Sequence, residues 1–137
     1  MTKRKRKPIP DRLWPKATNV GGEGCWLWTA SMFKDGYGKF RVGDTHKRAH
    51  RVAYEIMVGP IPDGLQIDHL CRNRACINPK HLEAVTGMVN FLRGESLGAR
   101  AIRTGKCMKG HSNWRQYKRA RYCRECDRIR TAAKRAR

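Results

Sequence analysis

Near the C-terminal end four residues stand at metal-ligand spacing: Cys107, three residues, His111, eleven residues, Cys123, two residues, Cys126. A Cys-x-x-Cys pair lets two thiolates reach one tetrahedral ion from a single turn, and eleven residues are enough for a hairpin that brings the chain back to it. The apolar content around this set is too sparse for the unit to fold by burial alone. A bound Zn²⁺ would supply the missing stability, on the order of 10 kcal/mol or more in such sites. The spacing therefore predicts a separate zinc finger over 107–137 that ends in a basic helix or tail. Two redox or merely buried cysteine pairs beside an exposed histidine are the plainer alternative.

The remaining cysteines repeat the arithmetic. Cys71, Cys76 and His81 are close in sequence and Cys25 is remote, so a second Cys₃His set uses every one of the six cysteines. Cys25 enters by elimination, and a small buried residue beside Trp26 is its alternative. Without it the trio is an open shell, whereas structural zinc prefers a closed one. The opening MTKRKRKPIPDR is basic with no apolar segment behind it, which does not read as a secretory leader. A reducing, cytoplasmic compartment keeps thiols available for metal.

Charge divides the chain further. The 137 residues carry 31 Lys+Arg against 11 Asp+Glu, a formal net charge of +20. Residues 1–17 hold seven basic groups and one acid, residues 100–137 hold fourteen and two, and the stretch between is nearly neutral. Two basic arms imply a polyanionic partner, nucleic acid first, through phosphate contacts that release counterions, and an acidic membrane surface second, since no amphipathic basic helix with an aromatic face is evident. Solvated tails that only keep the protein in solution are the plainer reading. A mean hydropathy of −0.76, with no apolar run near the roughly 18 residues of a bilayer span, argues against an integral membrane protein. The length excludes a large enzyme with a deep core.

Between the arms, Trp26 and Trp28 alternate with Leu27, Asp35-Gly36 interrupts, and Tyr37, Phe40 and Val42 resume, which predicts a hairpin. Ala49, Val52, Ala53, Ile56 and Met57 form one apolar helix face, ended by Gly59-Pro60. A short strand is expected at Leu65 to Asp68, a cysteine-bearing loop after it, and a helix starting near Thr86. Residues 94–106 have little packing signal and read as a linker or a loose helix, with 96–106 as the link between domains. The organisation expected is thus a basic N-terminal tail over 1–17, a compact domain over 18–95, the linker, and the finger.

The stretch IDHLCRNRACINPKHLEAVTGMVN resembles the ββα-metal nucleases of the HNH family, especially the branch that looks like the His-Cys box homing endonucleases. The positions that carry the resemblance are His69, Leu70, Cys71, Cys76, Asn78, Pro79, His81, Leu82 and Asn90. The preceding RAHRVAYEIMVGPIP is similar to the lead-in of phage and bacterial HNH proteins, and the likeness covers about residues 23–94. It implies a small α+β fold: a ββα-metal core stapled by zinc, with a separate C-terminal finger and a basic N-terminal tail. It implies a DNA endonuclease that leaves 5′-phosphate and 3′-hydroxyl ends. His69 is the implied general base, Asp68 and Asn90 the implied ligands of one divalent ion such as Mg²⁺, and Asn78 the residue that ties the loop so that His69 is aimed. A neutral imidazole can take a proton from water near pH 7, and hard oxygen ligands suit Mg²⁺.

The family also places an arginine near the scissile phosphate. No motif fixes it here; Arg41 on the expected hairpin is the first candidate, with Arg48 and Arg51 behind it. His81 stands only twelve positions after His69, so His81 is read as a zinc ligand and Asn90 as the helical metal ligand. A non-enzymatic, two-zinc DNA-binding regulator is the competing class, and an RNA- or ribosome-associated zinc protein a third. Both leave Asp68, His69 and Asn90 unexplained. Monomer and homodimer are equally compatible with the sequence.

Overall fold

The computed structural model describes residues 6–117 and 120–136, so the start of the basic N-terminal run lies outside the described residues. The chain divides into two compact units, Met1–Gly87 and Met88–Arg137. The first contains α1 (Ile9–Leu13), β1 (Ala17–Thr18), β2 (Leu27–Trp28), β3 (Lys39–Val42), β4 (Thr45–Arg48), α2 (Ala49–Met57), β5 (Leu65–His69) and β6 (Leu82–Thr86). α3 (Gly87–Arg93) leads into the second, followed by α4 (Leu97–Thr104), β7 (Trp114–Tyr117), β8 (Ala120–Cys123) and α5 (Arg124–Arg135). Among the described residues the strands pair as antiparallel couples: β1 with β2, β3 with β4, β5 with β6 and β7 with β8. This is the small mixed α/β architecture that the resemblance implies.

One apolar cluster organises the first unit: Leu13, Trp26, Trp28, Phe40, Ala49, Val52, Ala53 and Ile77. Trp28 meets Phe40 edge-on with ring centroids 6.0 Å apart, and Trp14 meets Trp26 at 5.9 Å. Such T-shaped pairs place a ring's positive edge on its neighbour's negative face. The backbone comes close enough at Gly38 that a Cβ there would lie 2.7 Å from Cγ of Trp28 and 3.0 Å from Cβ of Ala49. Only glycine fits that approach.

Three sequence expectations change. Residues 9–17, read with the basic tail, fold onto the core instead: Leu13 is fully buried, and α1 carries Pro10 in its first turn, where a missing N–H costs nothing. The expected hairpin is divided between two sheets. The chain does reverse at Asp35-Gly36, with Phe33 N–H bonded to Tyr37 O and Lys39 N–H to Ser31 O, each 2.8 Å. The ladders differ, however: β2 pairs with β1, and β3 pairs with β4 around Gly43-Asp44. On α2, Ala49, Val52 and Ala53 are buried as expected, but Ile56 and Met57 face solvent and His50 is buried in their stead. Of the two readings of the next segment, linker or loose helix, the helix is the one found: α4 is capped by Ser96, whose Oγ accepts the Ala99 N–H, and closed by Gly105 in the left-handed region.

Candidate active site and metal centres

β5 and β6 form a regular two-stranded ladder from Leu65↔Thr86 to His69↔Leu82. Asp68 and His69 end β5, and both are buried. The chain then turns through a loop in which Arg72 takes a left-handed conformation, φ 57°. Main-chain bonds tie this loop to β6 and β2: Leu70 N–H to His81 O, Trp28 N–H to Ala75 O, and Ile77 N–H to Trp26 O, each 2.9 Å. The last two bonds draw the Cys25 segment against Cys76.

The result is a four-ligand cluster. Cys25, Cys71, Cys76 and His81 bring their ligand atoms within 4.8 Å of one another, and Cys107, His111, Cys123 and Cys126 do the same in the second unit. With bond lengths of about 2.3 Å to sulfur and 2.0–2.1 Å to nitrogen, a tetrahedral zinc site has S···N edges of about 3.6 Å and S···S edges of about 3.8 Å. His81 Nδ1 lies 3.5 Å from Cys25 Sγ and 3.6 Å from Cys76 Sγ. His111 Nδ1 lies 3.6, 3.6 and 3.5 Å from the sulfurs of Cys107, Cys123 and Cys126, and Cys107 Sγ is 3.7 Å from Cys126 Sγ. Both clusters therefore have the dimensions of a closed tetrahedral zinc site. Burial pushes the Cys76 thiol up to about 12, so a cation is needed to hold it as thiolate, and loading the site releases protons.

Asn78 caps the 3₁₀ turn Pro79–His81: its Oδ1 accepts the Lys80 N–H at 3.0 Å, and its Nδ2 donates to Gly24 O at 2.7 Å. Asn78 thus joins the loop to the Cys25 segment and is itself fully buried. His69 is held by a different bond, Nε2 to Cys76 O at 3.1 Å. A carbonyl only accepts, so Nε2 carries the proton and Nδ1 the lone pair. Burial pushes the His69 imidazole below its ordinary value, partly offset by the Cys76 carbonyl and the Asp68 carboxylate. Asp68 Oδ1 accepts from Arg72 Nη1 at 2.7 Å. Asn90 lies on α3 in the second unit.

Sequence reading missed the ring cluster around His69. The His50 ring is 4.6 Å away, edge to face, and Tyr37 packs against both, 5.0 Å from His50 and 5.7 Å from His69. Two guanidinium groups lie over Tyr37, Arg48 at 4.7 Å and Arg74 at 5.6 Å. Arg48 is also paired to Asp35 at 2.7 Å, which holds that carboxyl below its ordinary value, and Arg74 donates to Asp35 O at 2.9 Å. Arg41, the first candidate for phosphate contact, instead pairs with Asp44 at the β3–β4 turn. Its sequence position gave no hint of this, because the turn it flanks is not the one expected. One signal for His50 was available: it sits three residues before Ala53, on the flank of the apolar stripe.

A buried imidazole whose Nε2 is held by a main-chain carbonyl, beside a carboxylate and with arginines on an adjoining ring, has the chemistry of a proton acceptor. The family model described as HNH endonuclease matches residues 47–90, from β4 to Asn90. The resemblance read between His69 and Asn90 is thereby supported, and it points to a nuclease. The chain is 41% identical over 58 residues to the uncharacterized gene 5.3 protein of Enterobacteria phage T3, covering 38% of this chain and 57% of that protein. It is 40% identical over 60 residues to protein 7.7 of Escherichia phage T7, covering 44% and 46%. A third relative, protein 2.8 of the same phage, is 35% identical over 93 residues, covering 62% and 60%. The chain thus spans about half the length of the curated relatives it matches. No solved structure matches it. Among the described residues no helix is long and apolar enough to cross a membrane.

Proposed function

We propose that the chain is a phage-type, divalent-metal-dependent DNA endonuclease, working in the cytoplasm of the host cell and leaving 5′-phosphate and 3′-hydroxyl ends. The observation that carries this reading is the bond from His69 Nε2 to the Cys76 carbonyl. It fixes the tautomer that leaves Nδ1 as proton acceptor, and burial keeps the ring neutral near pH 7. His69 then takes the proton of the water that attacks phosphorus. Asn78 acts one step back, holding the loop that supplies the Cys76 carbonyl.

The buried Asp68 carboxylate already binds a cation, the Arg72 guanidinium, whose side chain is half exposed and can swing aside. The Asp68 carboxylate and the Asn90 amide, the ligands implied by the family resemblance, are hard oxygen donors of the kind that suits Mg²⁺ or a similar ion. Such an ion supplies neutralisation of charge on the scissile phosphate and the departing 3′ oxygen. Arg48 and Arg74, preset on Tyr37 beside His69, are better placed than Arg41 to meet the phosphate. The zinc sites hold the scaffold.

Nicking of supercoiled plasmid in Mg²⁺ tests the reading. His69→Ala should lose about 10²- to 10⁴-fold in rate while keeping two zincs per chain by native mass spectrometry. Wild-type nicking by this variant rules out His69 as the base. Tight DNA binding by the unaltered chain with no cleavage in any divalent ion returns the protein to the regulator class.

A further inference from the structure

The second unit carries a cleft that the nuclease reading does not use. In the β7–β8 hairpin, Trp114 stands opposite Cys123 and Arg115 opposite Tyr122. Directly opposed residues share a face and neighbours alternate. Cys123 faces the metal cluster, so Arg115 and Tyr122 face the other way. On α5, Arg124, Asp127 and Arg128 lie three and four residues apart and share one helical face. The two faces converge on a cleft of about 600 Å³ lined by Arg115, Tyr122, Arg124, Asp127, Arg128 and Arg130. Cys123 at the end of β8 and Cys126 in the first turn of α5 belong to one metal-ligand cluster, which ties hairpin to helix.

The chemistry of this lining is specific. Asp127 is already paired with Arg130. Arg115, Arg124 and Arg128 form no ion pair among the described residues, so three guanidinium groups surround a tyrosine that is 46% exposed. Phosphates satisfy guanidinium groups, and the planar face of a nucleobase satisfies an open tyrosine ring. A DNA duplex offers the first and hides the second within its stack. A cleft needing only duplex phosphates would leave Tyr122 without a partner.

We infer that the cleft formed by Arg115, Tyr122, Arg124 and Arg128 binds an unpaired nucleotide of single-stranded DNA, stacking its base on Tyr122 and holding flanking phosphates with the arginines. This rests on DNA being the polyanion the chain acts on. It assigns the finger to recognition of frayed, gapped or displaced strands rather than of intact duplex.

Fluorescence anisotropy of the full zinc-loaded chain without added Mg²⁺ tests it, using labelled oligothymidylate and a blunt duplex of equal length. Stacking on an aromatic platform implies that Tyr122→Ala weakens oligothymidylate binding about 5- to 150-fold and leaves duplex binding unchanged, while Tyr122→Phe behaves as the unaltered chain. Arg115→Ala with Arg128→Ala should weaken binding to both and lower the single-strand salt slope by about 0.7 per lost contact. Native mass spectrometry showing two zincs verifies that each variant is folded. Equal losses on both probes for Tyr122→Ala, or none on either, would overturn the assignment. A plasmid that is not nicked, together with a Tyr122-dependent preference for oligothymidylate, removes the endonuclease and keeps the cleft. Nicking with an indifferent Tyr122 does the reverse.

Discussion

The two units use the same ligand set, three cysteines and one histidine, on very different foundations. In the first, the cluster of Cys25, Cys71, Cys76 and His81 adjoins an apolar core containing two tryptophans, a phenylalanine and Leu13. In the second, the buried apolar residues among those described are Ala99 and Cys123, and Cys123 is itself part of the metal-ligand cluster. Burial of a large side chain is worth roughly 1.5–3 kcal/mol, so the first unit has a reserve of stability that the second lacks. An identical metal site can therefore be the foundation of one fold and a local clasp in another.

Cys123→Ser should show the largest effect. It removes a ligand from the unit with no reserve, and structural zinc is worth on the order of 10 kcal/mol. Amide exchange over 107–136 should become unprotected, and zinc content should fall from two to one. Persisting protection there would mean that the finger has a core not apparent from its side chains. Cys25→Ser also costs one zinc, but its consequence should stay local: the loop over 70–81 loses protection and nicking declines, while α2 keeps its slow exchange. Global exchange of the first unit would remove the contrast between the units.

How far the sequence revealed this arrangement follows the same division. Ligand spacing made both clusters legible, including Cys25, because the number of thiols and the coordination number of zinc leave few options. Asp68, His69 and Asn78 were legible through a compact motif. Leu13 was not, because it lies within a basic run and its burial depends on Trp26 and Phe40, which are distant in sequence. His50 was missed for a related reason: a histidine on a helix gives no sign of its surroundings until Tyr37 and His69 close around it. Strand pairing was misassigned where two turn signals, Asp35-Gly36 and Gly43-Asp44, competed within ten residues.

Gly38→Ala tests the apolar reserve directly. Its Cβ would meet Cγ of Trp28, at the rigid base of the indole, so the packed core must shift, at a cost of about 1–3 kcal/mol. Thermal denaturation should record that loss in the first unit, with exchange in the finger unaltered. A neutral result would show that the Trp28–Phe40 contact is loose and that zinc carries this unit as well.

The smallest expected effect concerns acid. His50 is buried against Tyr37 and His69, with Arg48 and Arg51 on its own side and Asp35 across. Burial above all, then repulsion from His69, Arg48 and Arg51, lowers it to about 3, with Asp35 acting in the opposite direction. In the unfolded chain the imidazole titrates near 6.5. Well above that pH neither state holds the proton and His50 contributes no pH dependence. Between about 6.5 and 3 the unfolded state binds a proton that the folded state refuses, so stability falls as pH falls, by at most about 1.4 kcal/mol per unit. Urea denaturation at pH 7.5, 6.5 and 5.5, with zinc content verified at each, would compare the unaltered chain with His50→Phe. His69 and the zinc ligands are common to both chains, so the difference between them reports on His50. That difference should shift by about 0.3 kcal/mol from 7.5 to 6.5 and by about 1 kcal/mol more toward 5.5, the unaltered chain losing more. Parallel lines over the whole range would mean that the folded chain protonates His50 as readily as the unfolded one, and that the ring cluster beside His69 is open to water.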